Sequence, residues 1–454
     1  MTGVVPVPPD PTTSTVEALV RDVDLAEPLP HLAPRDAEGR ATRRAWLLIR
    51  LFTEPIGSIL VDLPPVGLAP ADLAAAIDVA LRPRIRQRAG EAGVRLTGPL
   101  GVDGIAQRRL VPYLAQRAAV LRDAPHIAVA VCTKDRPDSL GRLLDSVLAS
   151  TYPDFRIVVV DNNGPDDDRA AAVAREAGRR GDVTYVREPQ LGTSYARNRA
   201  MRETSGEIVA CTDDDAVVDE FWLAEIARAL SEHPEADIVT GPIAPAELVT
   251  EAQVWFEEFG GLSKGRGFTP DAFTPPFRQD PLYPCPGFGA GANMAWRPGV
   301  AESIGGFNPA LGPGTPAMGS EDTLAFTQVL RAGGTIVYQP GAIVRHYHRR
   351  DVEGLERQLV GYGTGLTAAY ASLVRSEPSV LVDLVRLVPT ALRDLYRTDS
   401  VRTEGIGETF PRELLRANRR GMLRGPFAYA KGRRRNVSAA RAAANGNAGP
   451  ATSA

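Results

Sequence analysis

The chain has 454 residues, a formal net charge of −3 and 44% apolar residues. That length allows two or three domains with real cores, and the near-neutral balance excludes a wholesale binder of nucleic-acid phosphates. Cys132, Cys211 and Cys285 are too scattered for a disulfide framework or a zinc knuckle, which points to a reducing compartment. In chain order, residues 1–40 are rich in Pro, Asp and Thr, lack the basic start and apolar stretch of a signal peptide, and read as mobile. Residues 41–124 form a small α+β unit. There "RAWLLIRLF" and "IGSILVDL" flank a hairpin turn at Thr53-Glu54-Pro55, and "APADLAAAIDVALRPRIRQRAGEAG" is a helix opened by Pro70 and Asp72. This unit carries no recognisable chemistry.

From residue 125 to 350 strands and helices alternate. "HIAVAVCT", "FRIVVVDN", "VTYVREP" and "GEIVACTDDD" are four strands separated by helices, such as "DSLGRLLDSVLAS" with Leu140, Leu143, Leu144, Val147 and Leu148 at helical spacing. "ADIVTGPI" continues the series, and "TIVYQPGAIVRH" is one more apolar strand. Alternation of this kind predicts a Rossmann-like, mostly parallel sheet with helices on both faces, whose ligands gather at the strands' carboxyl ends. Polar residues fall there repeatedly: Thr133-Lys134-Asp135, Asp161-Asn162-Asn163 and Asp213-Asp214-Asp215.

Side chains alternate along an extended chain, so Asp213 and Asp215 project to one side and Asp214 to the other. Such a pair at an open sheet end suits Mg²⁺ or Mn²⁺, which takes one or two carboxylates and fills its other positions with water and phosphate oxygens. An acidic helix cap is the bland alternative. A calcium loop is disfavoured, because its glycine and distal glutamate are absent. "GSEDTL" supplies a second acidic cluster, Glu321-Asp322, which also reads as a helix start capped by Ser320. "PGFGAGANMAWRP" contains no G-x-G-x-x-G. Its glycines, Gly291 among them, let backbone approach a sugar closely, and Asn293 is a donor to hydroxyls. Trp255, Phe256, Phe259, Phe268, Phe273 and Phe277, in the loop of residues 244–286, divide between sugar stacking and core packing.

The ordered series "VAVCTKDRPDSLGRLLDSVL", "IVVVDNN", "GTSYARNRAMRETSGEIVACTDDD", "GFGAGANMAWRP", "GSEDTLAFTQVLRAGG" and "IVYQPGAIVRHYHRR" resembles glycosyltransferase family 2, inverting nucleotide-sugar enzymes of the GT-A fold. The resemblance implies a hexosyl transfer from a nucleotide diphosphate-linked sugar to a hydroxyl of a glycan, lipid-linked or small-molecule acceptor, of the kind used in cell-envelope glycan or glycolipid synthesis. It implies nucleotide-pocket roles for Thr133, Asp135, Arg136, Asp161 and Arg197. Asp213 would serve ribose or metal, and Asp215 the metal. Asp322 would be the catalytic base, helped by Glu321, and a late histidine, His346, would be a metal or diphosphate ligand. His348 should point to the opposite face. The rival enzyme, a nucleotidyltransferase, normally carries a glycine-rich phosphate loop that "CTKDRPDS" lacks. A non-catalytic sugar-nucleotide-binding scaffold would not need both acidic clusters.

Residues 351–436 form a helical, basic extension. "LERQLVGYGTGLTAAYASLV" is a small-residue helix, "PSVLVDLVRLVPTALRDLY" is amphipathic, and "PRELLRANRRGMLRGPFAYAKGRRR" suits either an anionic membrane surface or a solvated tail. Residues 437–454 read as disordered. With no apolar run long enough to span a bilayer, the expected location is the cytoplasm or the inner face of the plasma membrane.

Overall fold

The computed structural model describes residues 15–263, 266–284, 287–396 and 410–446. Cys285, residues 1–14 and residues 447–454 lie outside these, and with them the ends of the expected mobile N-terminus and tail. The chain opens with β1 (Thr15–Val16), β2 (Leu19–Asp24), β3 (Ala41–Thr42), β4 (Arg44–Leu51) and β5 (Glu54–Asp62), followed by α1 (Pro70–Glu91) and α2 (Pro112–Arg122). β2 pairs parallel with β4, and β4 pairs antiparallel with β5. Their apolar faces meet α1 through Leu47, Ile49, Leu73, Ile77 and Ile85. Residues 15–40 were expected to have little to bury. Instead Leu19, Val23, Leu25, Leu29 and Leu32 join that core, because β4 offers β2 an edge and an apolar face at once. The hairpin turns at Phe52 and Thr53, both at positive φ, and the Asp24 carboxylate accepts both of their N–H groups.

The larger unit runs through β6 (Ile127–Thr133), α3 (Pro137–Leu148), β7 (Phe155–Asp161), α4 (Arg169–Ala177), β8 (Val183–Arg187), α5 (Thr193–Glu203), β9 (Ile208–Asp213), β10 (Ala216–Val218), α6 (Trp222–Glu232), β11 (Ile238–Thr240) and β12 (Ile243–Pro245). It continues with α7 (Glu251–Glu258), β13 (Asp271–Phe273), β14 (Met294–Trp296), α8 (Val300–Ser303), α9 (Glu321–Arg331), β15 (Ile336–Tyr338) and β16 (Val344–His346). The fold is α/β, built on an eight-stranded sheet of order β13-β15-β11-β14-β9-β6-β7-β8. β6, β7, β8 and β9 are parallel. β14 runs against both of its neighbours, since it returns from a long loop rather than through a helical crossover. Apolar clusters fill both faces, one around Val129, Leu143 and Trp222 and the other around Met294, Trp296 and Phe326.

"TIVYQPGAIVRH" is not one strand. Gln339-Pro340-Gly341 breaks it, leaving β15 in the large sheet and β16 in a second, three-stranded sheet of order β10-β16-β12. Proline has no N–H for a ladder, and the residues after it are released to start a new pairing. Three C-terminal helices follow: α10 (Val352–Ser376), α11 (Val380–Tyr396) and α12 (Arg412–Gly446). α12 continues helical past residue 436 into the stretch expected to be disordered. α10 and α12 run side by side, with contacts that advance together: Asn418 donates to Leu359 O, and Thr367 to Met422 O. Gly363, Gly421 and Gly425 make the approach possible, since a Cβ on Gly421 would stand 2.2 Å from Val360 O.

Candidate active site

Register brings the strand ends together. Cys132 sits opposite Asp213 and Thr133 opposite Asp161, so the polar tips of β6, β7 and β9 share one edge of the sheet. Antiparallel pairing of β10 with β16 sets Ala216 opposite His346, and this carries the histidine to the same edge. His346 Nε2 lies 2.9 Å from an Asp215 carboxylate oxygen. Its Nδ1 is buried and has no hydrogen-bond partner among the described residues. One ligand atom from each of Asp213, Asp215 and His346 lies within 4.8 Å of the others.

Asp214 turns the other way, as the alternation predicts. Its carboxylate accepts from the Thr133 hydroxyl (2.8 Å), from Lys134 N (3.3 Å) and from Arg136 (2.9 Å), tying the tip of β9 to the loop after β6. The same Arg136 nitrogen reaches Asp215 at 2.6 Å. Burial and the neighbouring Asp215 push the Asp214 carboxyl up to about 6, against the pull of Arg136. Burial would raise Asp215 too, but His346 and Arg136 outweigh it and hold that carboxyl well below the usual range. The histidine is correspondingly raised, the Asp215 charge overcoming desolvation.

The second acidic cluster sits in the first turn of α9. Ser320, at its N-cap, is in the left-handed region with φ 65° and makes no side-chain cap, so the expected serine cap is absent. Such a backbone conformation is costly for a non-glycine residue and is found where surroundings enforce a particular side-chain presentation. Asp322 presents Oδ2 to Gly291 N–H at 2.6 Å and Oδ1 to its neighbour Thr323 N–H at 2.6 Å. Glu321 is buried, and burial raises its carboxyl to about 7 despite the pull of Arg197.

Arg197, on α5, joins the two clusters. Its guanidinium donates to Glu321 at 2.6 Å and to Asp213 at 3.1 Å. It is buried to 5% exposure, and the surrounding acids keep it firmly charged although burial opposes this. A cation expected beside the nucleotide is thus committed to two carboxylates. Gly291 leaves room for it, since a Cβ there would stand 2.3 Å from an Arg197 nitrogen and force the guanidinium to shift. One cavity of ≈ 900 Å³ is bounded by Thr133, Arg136, Asp213, Asp215, Asp322 and His346.

Other expected residues lie elsewhere. Asp161 is fully buried and accepts from Asn163 N, Tyr185 OH and Arg187, so it does not border the cavity. Asp135 is exposed, paired with Lys134 and held by Asn163 through its backbone N–H. Asn293 is 1% exposed. Its amide accepts from Trp222 and donates to Pro242 O and Ala342 O, so it braces the sheet and has no donor left for a sugar. His348 does not point to the opposite face as expected: residues two apart on an extended chain share a side, and its ring stacks 5.4 Å from that of His346, buried against Glu257 and the Phe256 ring. Of the six loop aromatics only Phe259 borders the cavity, while Phe273 packs on Phe288 and Phe268 borders a separate groove. Tyr362 of α10 and Met422 and Arg435 of α12 also line the cavity. No local motif marks them, because they come from helices far along the chain.

Residues 128–283 match the model for glycosyl transferase family 2, and residues 208–389 match that for glycosyl transferase family group 2. The glucosyl-dolichyl phosphate glucuronosyltransferase of Haloferax volcanii is 31% identical over 137 residues, 29% of this chain and 43% of that protein. The succinoglycan biosynthesis protein ExoM of Rhizobium meliloti is 29% identical over 234 residues, 48% of this chain and 66% of that protein. The chain therefore spans less than two thirds of either relative. Among solved structures, the mannosyltransferase PcManGT from Pyrobaculum calidifontis, in complex with GDP-Man and Mn²⁺, overlays with a TM-score of 0.41 and 18% identity, covering 75% of this chain and 85% of that one. S. aureus TarS 1-349 overlays with a TM-score of 0.38 and 14% identity, covering 68% and 92%.

Proposed function

This chain belongs to glycosyltransferase family 2, and from that premise we propose that it moves a sugar, with inversion, from a nucleotide diphosphate-linked donor to an acceptor hydroxyl, using a divalent cation. The observation that supports the reading best is the placement of Asp213, Asp215 and His346 on the same cavity as Asp322, with Arg197 bridging the two acidic clusters.

The donor set fits Mn²⁺ or Mg²⁺: two carboxylates, plus an imidazole with an unpartnered buried nitrogen. Asp213, Asp215 and His346 would hold the ion, which when bound neutralises charge gathering on the departing diphosphate. The nitrogen donor favours Mn²⁺ over Mg²⁺, the harder ion. Lys134 and Arg136 border the same cavity, where their positive charge would face the donor's phosphates.

In-line attack by a hydroxyl needs a carboxylate base on the face away from the leaving group. Asp322 fills that role. Two backbone N–H groups fix its orientation, and the start of α9 is a stiff mount for it. Glu321 acts behind it as a positioning residue: it holds Arg197, and Arg197 holds Asp213. The same guanidinium lies between the two acid clusters and lessens their mutual repulsion.

The acceptor belongs to the glycan or lipid-linked class, with the protein seated peripherally at the inner face of the membrane. One relative's name, glucosyl-dolichyl phosphate glucuronosyltransferase, supports a lipid-linked acceptor. No helix among the described residues is long and apolar enough to cross a membrane. The test is release of nucleotide diphosphate from a panel of nucleotide-sugars with Mn²⁺, read for wild type and for Asp215→Ala. Turnover of one donor by wild type alone supports the assignment; equal turnover by the variant, or none with any donor, overturns it.

A further inference from the structure

The C-terminal helices carry an outer surface that the transfer chemistry does not use. α11 packs inward through Val380, Leu384 and Leu387, beside Leu373 of α10 and Tyr429 of α12. Successive helical residues turn by about 100°, so Leu381, Val385, Val388 and Leu392 share a second stripe on another face. These four are 54%, 61%, 47% and 48% exposed. An ordinary surface helix has one apolar stripe and buries it; α11 has two and buries one.

α12 repeats the pattern in stronger form. Asn418, Gly421, Gly425 and Gly432 face the body of the protein, where a Cβ on any of these glycines would collide with α10 or Ala310. On the outward face Leu423 and Phe427, one turn apart, are 79% and 80% exposed. Arg424, Lys431 and Arg434 lie within a turn or two of them, all exposed, while nearby Arg420 is paired with Glu356 of α10, and Glu413 is the only acid in the helix. Single exposed apolar residues are unremarkable. Two large ones on adjacent turns beside basic groups form an amphipathic patch.

We infer that the outward faces of α12 and α11 dock on an anionic lipid bilayer. Charge complementarity selects this occupant. Guanidinium and ammonium groups reach headgroup phosphates on long stems, while Phe427, Leu423 and the α11 stripe enter the apolar boundary just below. The inference deepens the acceptor side of the proposed transfer and rests on that reading for its purpose. α12 also lines the cavity through Met422 and Arg435, so the docked face and the cavity are separated by the thickness of one helix.

The test is co-sedimentation of the full chain with phosphatidylcholine vesicles, with and without phosphatidylglycerol, in the absence of any donor. Binding is expected only with the anionic lipid and falls as salt rises. Arg424→Ser/Lys431→Ser/Arg434→Ser should weaken it on the order of a hundredfold, at about fivefold per basic residue. Leu423→Gln/Phe427→Gln and Leu381→Gln/Val385→Gln should each weaken it too, with circular-dichroism melting unchanged. Failure to bind anionic vesicles, equal binding to neutral ones, or full binding by the α12 variants overturns the inference. Full binding by the α11 variant removes α11 from the surface. A dimer in solution that Leu423→Gln/Phe427→Gln dissolves assigns the face to a second copy instead. Docking that fails while sugar transfer persists sinks this inference alone; docking without transfer sinks only the proposed reaction.

Discussion

Asp322 and Arg197 make different demands on the structure, and their substitutions separate chemistry from architecture. Asp322→Asn keeps the shape and the acceptor oxygen toward Gly291 but loses the ability to take a proton. Turnover should fall by about 10²–10⁴-fold while donor binding, read by calorimetry, stays unchanged. Full turnover by this variant would remove Asp322 as the base. Arg197→Met leaves Glu321 and Asp213 facing each other without their shared cation. Breaking a buried pair from one side costs about 3–5 kcal/mol, so chemical denaturation should show a loss of that order. Asp213, Asp215 and Asp322 were legible because acids at strand ends and helix starts are local patterns. Arg197 was legible as a basic residue but not as a bridge, since its partners lie 16 and 124 positions away. Asn293 misled because a polar residue in a glycine-rich run looks exposed in sequence, whereas here it closes three hydrogen bonds inside the sheet.

Elements show the same division. Glu54 opens β5 beneath Arg88 of α1, and its carboxyl is raised to about 7 by burial, with Glu91 and Glu225 adding to the effect and Arg88 and Arg228 opposing it. A carboxyl whose folded value exceeds its unfolded value stabilises the fold fully below about 4.5 and loses that contribution as pH rises to about 7. The drop in stability from about pH 5 to about pH 8 should therefore be smaller in Glu54→Gln than in wild type by about 1–3 kcal/mol. An unchanged drop, read as melting temperature at the two pH values, would refute the placement. Gly421 sets the distance between α10 and α12, and Gly421→Ala forces a methyl against the Val360 carbonyl. Overpacking of this kind costs about 1–3 kcal/mol, visible as a lowered midpoint in urea. The helices themselves were readable from apolar periodicity and small residues. Their parallel pairing was not, because nothing local says which helix a glycine will meet.

At the scale of the whole molecule, ligand binding and stability are linked. Mn²⁺ at about a hundred times its Kd should stabilise the chain by about 2.7 kcal/mol, seen as a raised melting temperature. The same addition should leave the melting temperature of Asp215→Ala where it was, and an equal rise in that variant would rule out a site built on Asp215. The sequence by itself determined the alternating α/β architecture and the acids at its strand tips, since each is written in spacing of a few residues, and its ordered motifs carried the resemblance to the family. Only the tertiary structure decided that β2 joins the N-terminal core, that β14 enters the large sheet antiparallel, and that His346 arrives through a break at Pro340 into a second sheet. It also decided that α10 and α12 wall the cavity. Local sequence fixes backbone preference and which face is apolar. Which distant groups share a cavity depends on packing and register across segments hundreds of residues apart, and burial then sets which polar side chains are spent on structure and which remain for chemistry.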